Sequence, residues 1–275
     1  MEPRPVVLIT GCSGGIGHAT ALHLHARDCI VVATARRPEA IADLAERGME
    51  VEALDVTQDA DRRRVVDAVM ARHGRIDAVV NNAGFGAIAA AEETTPDLLQ
   101  RMFDTNLFGG HELTRLALPI MRDQGHGRIV NVSSVAGHIP IPMQSAYCAT
   151  KFAMRAMTMV MDVEVRDFGI RACLIEPGWV NTGFGKRSTK ETQQAVRDGA
   201  SGPYARFHDK WARRRAKGGH GAPPERIAEA IGHACLAKRP RMHYFEPFHA
   251  KAFNVAKRVL PDAVLMRQIA KKFNP

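Results

Sequence analysis

Val6-Val7-Leu8-Ile9-Thr10-Gly11-Cys12-Ser13-Gly14-Gly15-Ile16-Gly17 is the stretch that decides the fold of this chain. Its first four residues are a continuous apolar run, as expected for a strand buried on both faces of a parallel sheet. The run ends before Gly11, and from Ile16 to Arg27 the pattern reads as a helix. Gly11 lets the chain turn out of the strand. Gly15 lets a pyrophosphate approach the backbone, and Gly17 lets helix and strand pack closely. The helix N-terminus adds unpaired N–H groups and the positive end of the helix dipole, where an anion is favoured. A glycine-rich loop alone is a weak signal, because any tight turn uses glycine. Lying between the first strand and first helix of a βαβ unit, it points to dinucleotide binding, with Ser13 and Ile16 in the same turn. The spacing is Gly-x-x-x-Gly-x-Gly, not the commoner Gly-x-Gly-x-x-Gly.

The alternation continues outward from this turn. Strands are expected at Cys29–Thr34, Val51–Leu54, Ile76–Val80, Arg128–Val132 and Arg171–Ile175, the last stopped by Pro177-Gly178. Helices are expected through Ile41, Leu44 and Ala45, through Val65, Val66 and Val69, from Pro96 to Met121, and from Ala146 to Asp167. Repeated βα units of this length predict an α/β fold: a single Rossmann-like, doubly wound parallel sheet with helices on both faces. Its binding site belongs at the carboxyl ends of the strands. At 275 residues, one domain spanning 1–275 is expected. Beyond Pro177-Gly178 the pattern loosens. The segment 183–224, rich in Gly, Ser, Lys and Arg, reads as a lid over the substrate. Ile227–Leu236 reads as a helix, Arg241–Phe245 as a last strand, and 248–275 as a helical C-terminal extension.

Composition narrows the setting. No apolar run approaches the roughly 20 residues that span a bilayer, and Met1-Glu2-Pro3-Arg4-Pro5 lacks the features of a signal peptide. A cytoplasmic location is the default expectation. The five cysteines are scattered, with no Cys-x-x-Cys spacing, so buried reduced thiols are expected rather than disulfides or a zinc site; no metal is expected. The net charge is +9, which allows anionic partners without naming one. The basic run Arg213-Arg214-Arg215-Ala216-Lys217 lacks a nucleic-acid reading motif and reads as solvated lid surface, so no nucleic acid is expected. The tail mixes Lys257, Arg258, Arg267, Lys271 and Lys272 with Phe253, Val259, Leu260, Leu265, Ile269 and Phe273. Docking onto the protein body is favoured over contact with a membrane surface.

Cofactor choice is written after the second strand. An acidic residue there would hydrogen-bond the ribose hydroxyls of NAD, but the chain has Ala35 followed by Arg36, which can clamp a 2′-phosphate. NADP(H) is therefore expected, with NAD(H) as the alternative. Asp55, ending the third strand beside Val56, suits the adenine amino group, or else caps the helix that follows.

The reacting groups lie further on. Tyr147 and Lys151 are four apart, so on a helix they share a face. A neighbouring ammonium favours the phenolate and is expected to pull the tyrosine pKa down from about 10 toward a working pH, as general acid–base chemistry needs. Ser134 stands thirteen positions upstream of Tyr147. Each of these alone would be unremarked, a surface pair and a turn serine; their joint occurrence beside a phosphate turn points to hydride transfer between a dinucleotide and an alcohol or ketone.

With Asn81-Asn82-Ala83-Gly84 after the fourth strand, Asn106, and Pro177-Gly178-x-x-x-Thr182, these motifs resemble the short-chain dehydrogenase/reductase family from Val6 to about Phe184. The resemblance implies roles. Tyr147 is the acid/base, Lys151 tunes it and holds the nicotinamide ribose, and Ser134 hydrogen-bonds the substrate oxygen. Asn106 anchors a water that links Lys151 to solvent. Asn82, Ala83 and Gly84 line the adenosine side, while Val180 and Thr182 hold the nicotinamide carboxamide. Tyr147-Cys148-Ala149-Thr150-Lys151-Phe152-Ala153 and Ile175-Glu176-Pro177-Gly178 look like the 17β-hydroxysteroid and retinol dehydrogenase branch. That implies a lipophilic ketone or secondary alcohol, and the apolar stretch His138–Met143 fits an oily pocket wall. Helices around Thr105–Leu118 and Ala146–Val165 correspond to those that pair across subunits in many relatives. A homodimer or homotetramer is expected, with Met154, Met157, Met159 and Met161 either as interface candidates or as part of the monomer core. Two rival readings are a non-catalytic NADP(H)-binding redox sensor, from which the intact Tyr and Lys detract, and a sugar-nucleotide epimerase, for which the C-terminal region is short.

Overall fold

The computed structural model describes residues 3–185, 188, 191–192, 196, 202–216 and 221–273. Strands β1 (Val6–Ile9), β2 (Ile30–Ala35), β3 (Glu50–Ala53), β4 (Ala78–Asn81), β5 (Gly127–Val132), β6 (Ile170–Pro177) and β7 (His243–Glu246) form one sheet. Its order is β3-β2-β1-β4-β5-β6-β7, and every pairing is parallel. The doubly wound α/β expectation is met, and the order reverses direction between β1 and β4, where such sheets open a crevice.

Successive strand residues point to opposite faces, and the core divides accordingly. Val7, Ile9, Val31, Val130 and Cys173 face one layer, closed by helices α1 (Gly15–His25), α2 (Ala42–Glu46) and α8 (Pro224–Leu236). Val6, Leu8, Val32, Val79 and Ile129 face the other, closed by α3 (Asp59–His73), α5 (Gly109–Gln124) and α6 (Ser145–Glu164). Each such fully buried Val, Leu or Ile contributes about 1.5–3 kcal/mol.

The long helix expected over Pro96–Met121 is three pieces. Helix α4 (Pro96–Phe103), capped by the Thr95 hydroxyl accepting from Leu98 N at 3.2 Å, runs into a π turn at Asp104–Phe108 and then α5. Inserted π turns of this kind often mark functional sites, and this one carries Asn106.

Part of the segment 183–224 is ordered as α7 (Ala205–Ala216), whose Trp211 is buried, stacked 6.1 Å from Trp179 and 5.6 Å from Phe273. The tail forms α9 (Phe248–Val259) and α10 (Asp262–Phe273); Leu265 is buried, so the tail does dock on the body. Of the basic run, Lys217 and the side chains of Arg214 and Arg215 lie outside the described residues, as do the side chains of Phe253 and Arg258. Among the described residues no helix is long and apolar enough to cross a membrane. All five cysteines are free and buried. Burial pushes the Cys148 thiol up, away from a nucleophile's range. The methionines of α6 divide between the core and the surface. Met154 and Met161 are buried, because they sit on the sheet side of α6; Met159, Val160 and Val163 are the outward residues.

Candidate active site

The turn after β1 is shaped for a phosphate. Gly11 and Gly15 take positive φ values of 73° and 58°, open to glycine at no cost. Helix α1 begins with no side-chain cap and no acidic residue in its first turn, so its leading N–H groups stay available to an anion. Ser13 is exposed at the tip, while Ile16 is half-buried against the core. A Cβ on Gly17 would lie 2.5 Å from both Asn82 Nδ2 and Gly11 O, which fixes glycine there.

Asn82 holds this turn from the neighbouring strand. Its Nδ2 donates to Thr10 O at 2.9 Å and Gly11 O at 3.0 Å, while Asn82 N and Ala83 N donate to Thr10 Oγ1 at 3.0 and 2.9 Å. Asn82 thus fastens the phosphate turn itself. Thr182 reaches the same place: a Cβ on Gly15 would stand 3.0 Å from Thr182 Cβ. Val180 pairs with Ala222 in an isolated bridge and packs against the core. On the other side, Asp55 Oδ1 accepts from Thr57 N at 3.0 Å and Thr57 Oγ1 at 2.8 Å, closing a local turn; it does not cap the following helix α3, which starts after Gln58 with no side-chain cap. Val56 is buried and its carbonyl accepts from Arg62 Nη1 at 2.6 Å. Arg36 is exposed at the end of β2, with no hydrogen bond or ion pair to another described residue.

Ser134, Tyr147 and Lys151 gather at the ends of β5 and β6. Ser134 caps a short 3-10 turn, its Oγ accepting from Ala136 N at 3.1 Å, and lies 3.5 Å from Pro177 O. Its hydroxyl also lies close enough to the Tyr147 phenol to favour the ionised form. Ser133 turns the other way, toward Lys151 O at 3.4 Å. Lys151 Nζ donates to Val132 O at 2.8 Å and stands 5.7 Å from the Tyr147 ring centre.

The electrostatics run against one expectation. Burial pushes the Tyr147 phenol up to about 12, partly opposed by the Ser134 hydroxyl. Burial also pulls the Lys151 ammonium down to about 8. The lysine bonds a backbone carbonyl rather than the phenol, so desolvation, not a neighbouring charge, dominates both groups.

Asn106 is fully engaged. Its Oδ1 accepts from Phe85 N and its Nδ2 donates to Phe85 O, each at 2.9 Å, with Thr150 Oγ1 a further 3.3 Å partner beside Lys151. It ties the loop after β4 to the π turn and α6, and a Cβ on Gly84 would crowd it at 3.0 Å. Around Tyr147 the walls are apolar: Phe184 lies 5.7 Å from its ring, and Phe85, Ala87, Leu98 and Met102 cluster beside it.

A glycine-rich turn and a Ser–Tyr–Lys group thus lie along the carboxyl ends of the strands of one parallel sheet. The sequence profile described as short chain dehydrogenase matches residues 5–193. The chain belongs to the short-chain dehydrogenase family. It is an oxidoreductase of that family. It is 34% identical to the uncharacterized oxidoreductase YbbO of Escherichia coli, over 94% of this chain and 91% of that one. It is 38% identical, over 67% of this chain and 66% of the relative, to the 3-ketodihydrosphingosine reductase of Bacteroides thetaiotaomicron. Among solved structures, a short-chain dehydrogenase of Streptomyces avermitilis superposes with a TM-score of 0.80 at 33% identity, covering 99% of this chain and 96% of that chain. A gluconate 5-dehydrogenase of Burkholderia cenocepacia, in complex with NADP and tartrate, superposes with a TM-score of 0.73 at 26% identity, covering 90% and 95%.

Behind the Ser–Tyr–Lys group this short-chain dehydrogenase holds a charged cluster that the sequence reading passed over. Glu176, fully buried on β6, takes a short hydrogen bond from His138 Nε2 on Oε1, and His243 Nδ1 donates to Oε2 at 2.8 Å. Arg155 Nε lies 3.0 Å from His138 Nε2 and 3.5 Å from Glu176 Oε1. Burial would raise the Glu176 carboxyl, but the two imidazoles outweigh it and hold the group below its usual range. The donor atoms of His138, Glu176 and His243 lie within 4.8 Å of one another, a spacing that could hold a metal ion. The Arg155 guanidinium already supplies the counter-charge there. One signal was legible beforehand: a lone acid in the buried run Leu174-Ile175-Glu176-Pro177 must have partners.

Proposed function

We propose that the chain interconverts a lipophilic ketone and its secondary alcohol using NADP(H), with Tyr147 as general acid/base. The observation that carries this reading is the convergence of the Tyr147 phenol, the Ser134 hydroxyl and Lys151 at the carboxyl edge of the sheet, where the glycine-rich turn also lies. The residues present fit a dinucleotide, since the uncapped start of α1 and the positive-φ glycines leave N–H groups and room for a pyrophosphate. Gly11 to Gly17, with Ser13 and Ile16, would hold that pyrophosphate. Asp55 and Val56 would border the adenine, Asn82, Ala83 and Gly84 the adenosine side, and Val180 and Thr182 the nicotinamide carboxamide. Arg36, exposed and unpaired, would clamp a 2′-phosphate. When bound, a nicotinamide coenzyme supplies the hydride.

The chain's own groups would do the rest. Ser134 donates a hydrogen bond to the carbonyl oxygen and polarises it. Tyr147 gives the same oxygen its phenolic proton, and Lys151 steadies the phenolate left behind. With the phenol near 12 and the ammonium near 8, both carry their protons at neutral pH, which suits donation to a ketone. Asn106 serves by holding the Phe85 loop and the π turn against α6.

Apolar walls favour an oily substrate. Ile88, Ala90, Met143 and Trp211 form a second cluster with Ile141, Tyr204 and Phe207. Helix α7, within the 183–224 segment, would act as a lid over this side, with α10 of the 248–275 extension packed behind Trp211. Steroid- and retinoid-like ketones, suggested by the branch resemblance, are one class to test. A long-chain keto-lipid, the kind named for the Bacteroides relative, is the other.

The test is NADPH consumption against a panel of such ketones. Tyr147→Phe should lower kcat by roughly 100- to 10,000-fold while NADPH still binds. Normal turnover by this variant would sink the mechanism. A wild-type chain that binds NADPH and reduces nothing on the panel would favour the redox-sensor reading instead.

A further inference from the structure

Glu176 sits where a strand end needs only apolar packing, between Ile175 and Pro177, yet it is a fully buried carboxylate. Its partners come from every element that carries a reacting group. His138 ends the 3-10 turn Val135–Gly137 that Ser134 caps. Arg155 stands four residues beyond Lys151 and eight beyond Tyr147 on α6, so all three lie along one side of that helix. His243 begins β7, which pairs with β6 at Leu174. Pro177, the next residue, offers its carbonyl to Ser134 Oγ at 3.5 Å.

Packing of apolar groups is non-directional, whereas a carboxylate with partners on both oxygens fixes its donors in angle as well as distance. Glu176 Oε1 is bonded by His138 and Oε2 by His243. The Arg155 guanidinium, half-buried, adds the balancing charge and also reaches His138 at 3.0 Å. The Ser134 turn, helix α6 and the β6–β7 edge are thereby fastened to one side chain.

We propose that Glu176 is a positioning residue for the reaction: with His138, Arg155 and His243 it sets the placement of the Ser134 hydroxyl relative to the Tyr147 phenol. The role rests on the reading of Ser134 and Tyr147 given above. Glu176 touches neither substrate nor coenzyme. It acts through the turn and the helix that do. A metal ion on the same donors is the less favoured occupant, because Arg155 already stands beside both His138 Nε2 and Glu176 Oε1.

The full-length chain is compared as wild type, Glu176→Gln, Arg155→Met, Arg155→Lys and Tyr147→Phe. For each, kcat and KM are measured on a ketone that the wild type reduces, with NADPH affinity by fluorescence titration and Tm by thermal melt. Glu176→Gln should lower kcat roughly 10- to 100-fold, the scale of a misplaced reacting group, with KM and NADPH affinity within about twofold. Arg155→Met should act in the same direction, and Arg155→Lys should recover most of the loss. Should Glu176→Gln fail to fold, the Arg155 pair decides: a wild-type kcat in Arg155→Met overturns the role. A fall in kcat matched by an equal loss of NADPH binding also overturns it, since that is general collapse. So does stoichiometric Zn²⁺ uptake that His243→Gln abolishes. An inactive Tyr147→Phe beside a normal Glu176→Gln removes the positioning role alone, whereas a fully active Tyr147→Phe removes the reading of the site beneath it.

Discussion

Arg36 lies at the end of β2 with its guanidinium in solvent, while Ala35 before it is buried and offers no carboxylate. A cation held ready at that place discriminates between coenzymes by what it gains, because only a 2′-phosphate can take both forks of the guanidinium. A charge-assisted contact of this kind is worth about 1.5–3 kcal/mol. Arg36→Ala should therefore weaken NADPH binding roughly 10- to 100-fold and leave NADH within about twofold. Equal effects on the two coenzymes would sink the NADP(H) preference. Tyr147 and Lys151 illustrate the opposite lesson, that proximity in sequence does not fix which force dominates. Their spacing promised a lysine-lowered phenol, yet desolvation raises the tyrosine to about 12 and lowers the lysine to about 8. Burial comes first for both groups, and the Ser134 hydroxyl only partly opposes it at Tyr147.

At the scale of elements, Asp162 joins the end of α6 to the start of β6, and so sets where the helix bearing Tyr147 and Lys151 lies on the sheet. It is fully buried, accepts from Arg171 Nε at 2.8 Å and Ala172 N at 3.0 Å, and pairs with Arg166. Burial would raise its carboxyl, but the two arginines and the backbone N–H outweigh it and hold it below the usual range. A depressed carboxyl stabilises the fold above the unfolded pKa, near 4, and that stability is lost as pH falls through the lower folded value. Asp162→Asn should cost about 3 kcal/mol at neutral pH, a drop in Tm of roughly 6–12 °C, and should flatten part of the loss of stability in acid. A variant that melts like wild type at both pH values would show the clamp to be idle. Elements such as β1, α1 and β6 were readable because local pattern and tertiary burial agree in them. The π turn was not readable, since Asp104–Phe108 keeps helical periodicity and departs from it where Asn106 grips the Phe85 backbone. Helix α7 was hidden in a polar, basic segment, and only Trp211 within it is anchored by distant aromatics. The Ser134, Tyr147 and Lys151 spacing could be read directly, but the Glu176 cluster needed a turn, helix α6 and strands β6 and β7 brought together.

At the scale of the whole molecule, helix α6 leaves an apolar face uncovered. Along α6, Phe152, Ala156, Met159, Val160 and Val163 are all exposed, Val160 at 56% and Val163 at 69%, and their spacing puts them on one side of the helix. Phe108 on the preceding π turn is exposed as well, at 45%. We propose that an apolar stripe of this kind, on a chain with net charge +9, is an interface between copies rather than a solvated face. Charge repulsion between copies is avoided there, because the stripe itself carries no ionised side chain. A two-fold arrangement would set the stripe against its own copy, each residue meeting its counterpart across the axis. Replacing both Val160 and Val163 by Asp would then place four carboxylates in one desolvated contact, a cost that packing cannot offset. Light scattering should give wild type a mass of two or four chains and the double variant the mass of one. A monomeric wild type, or a double variant of unchanged mass, would assign the stripe some other role.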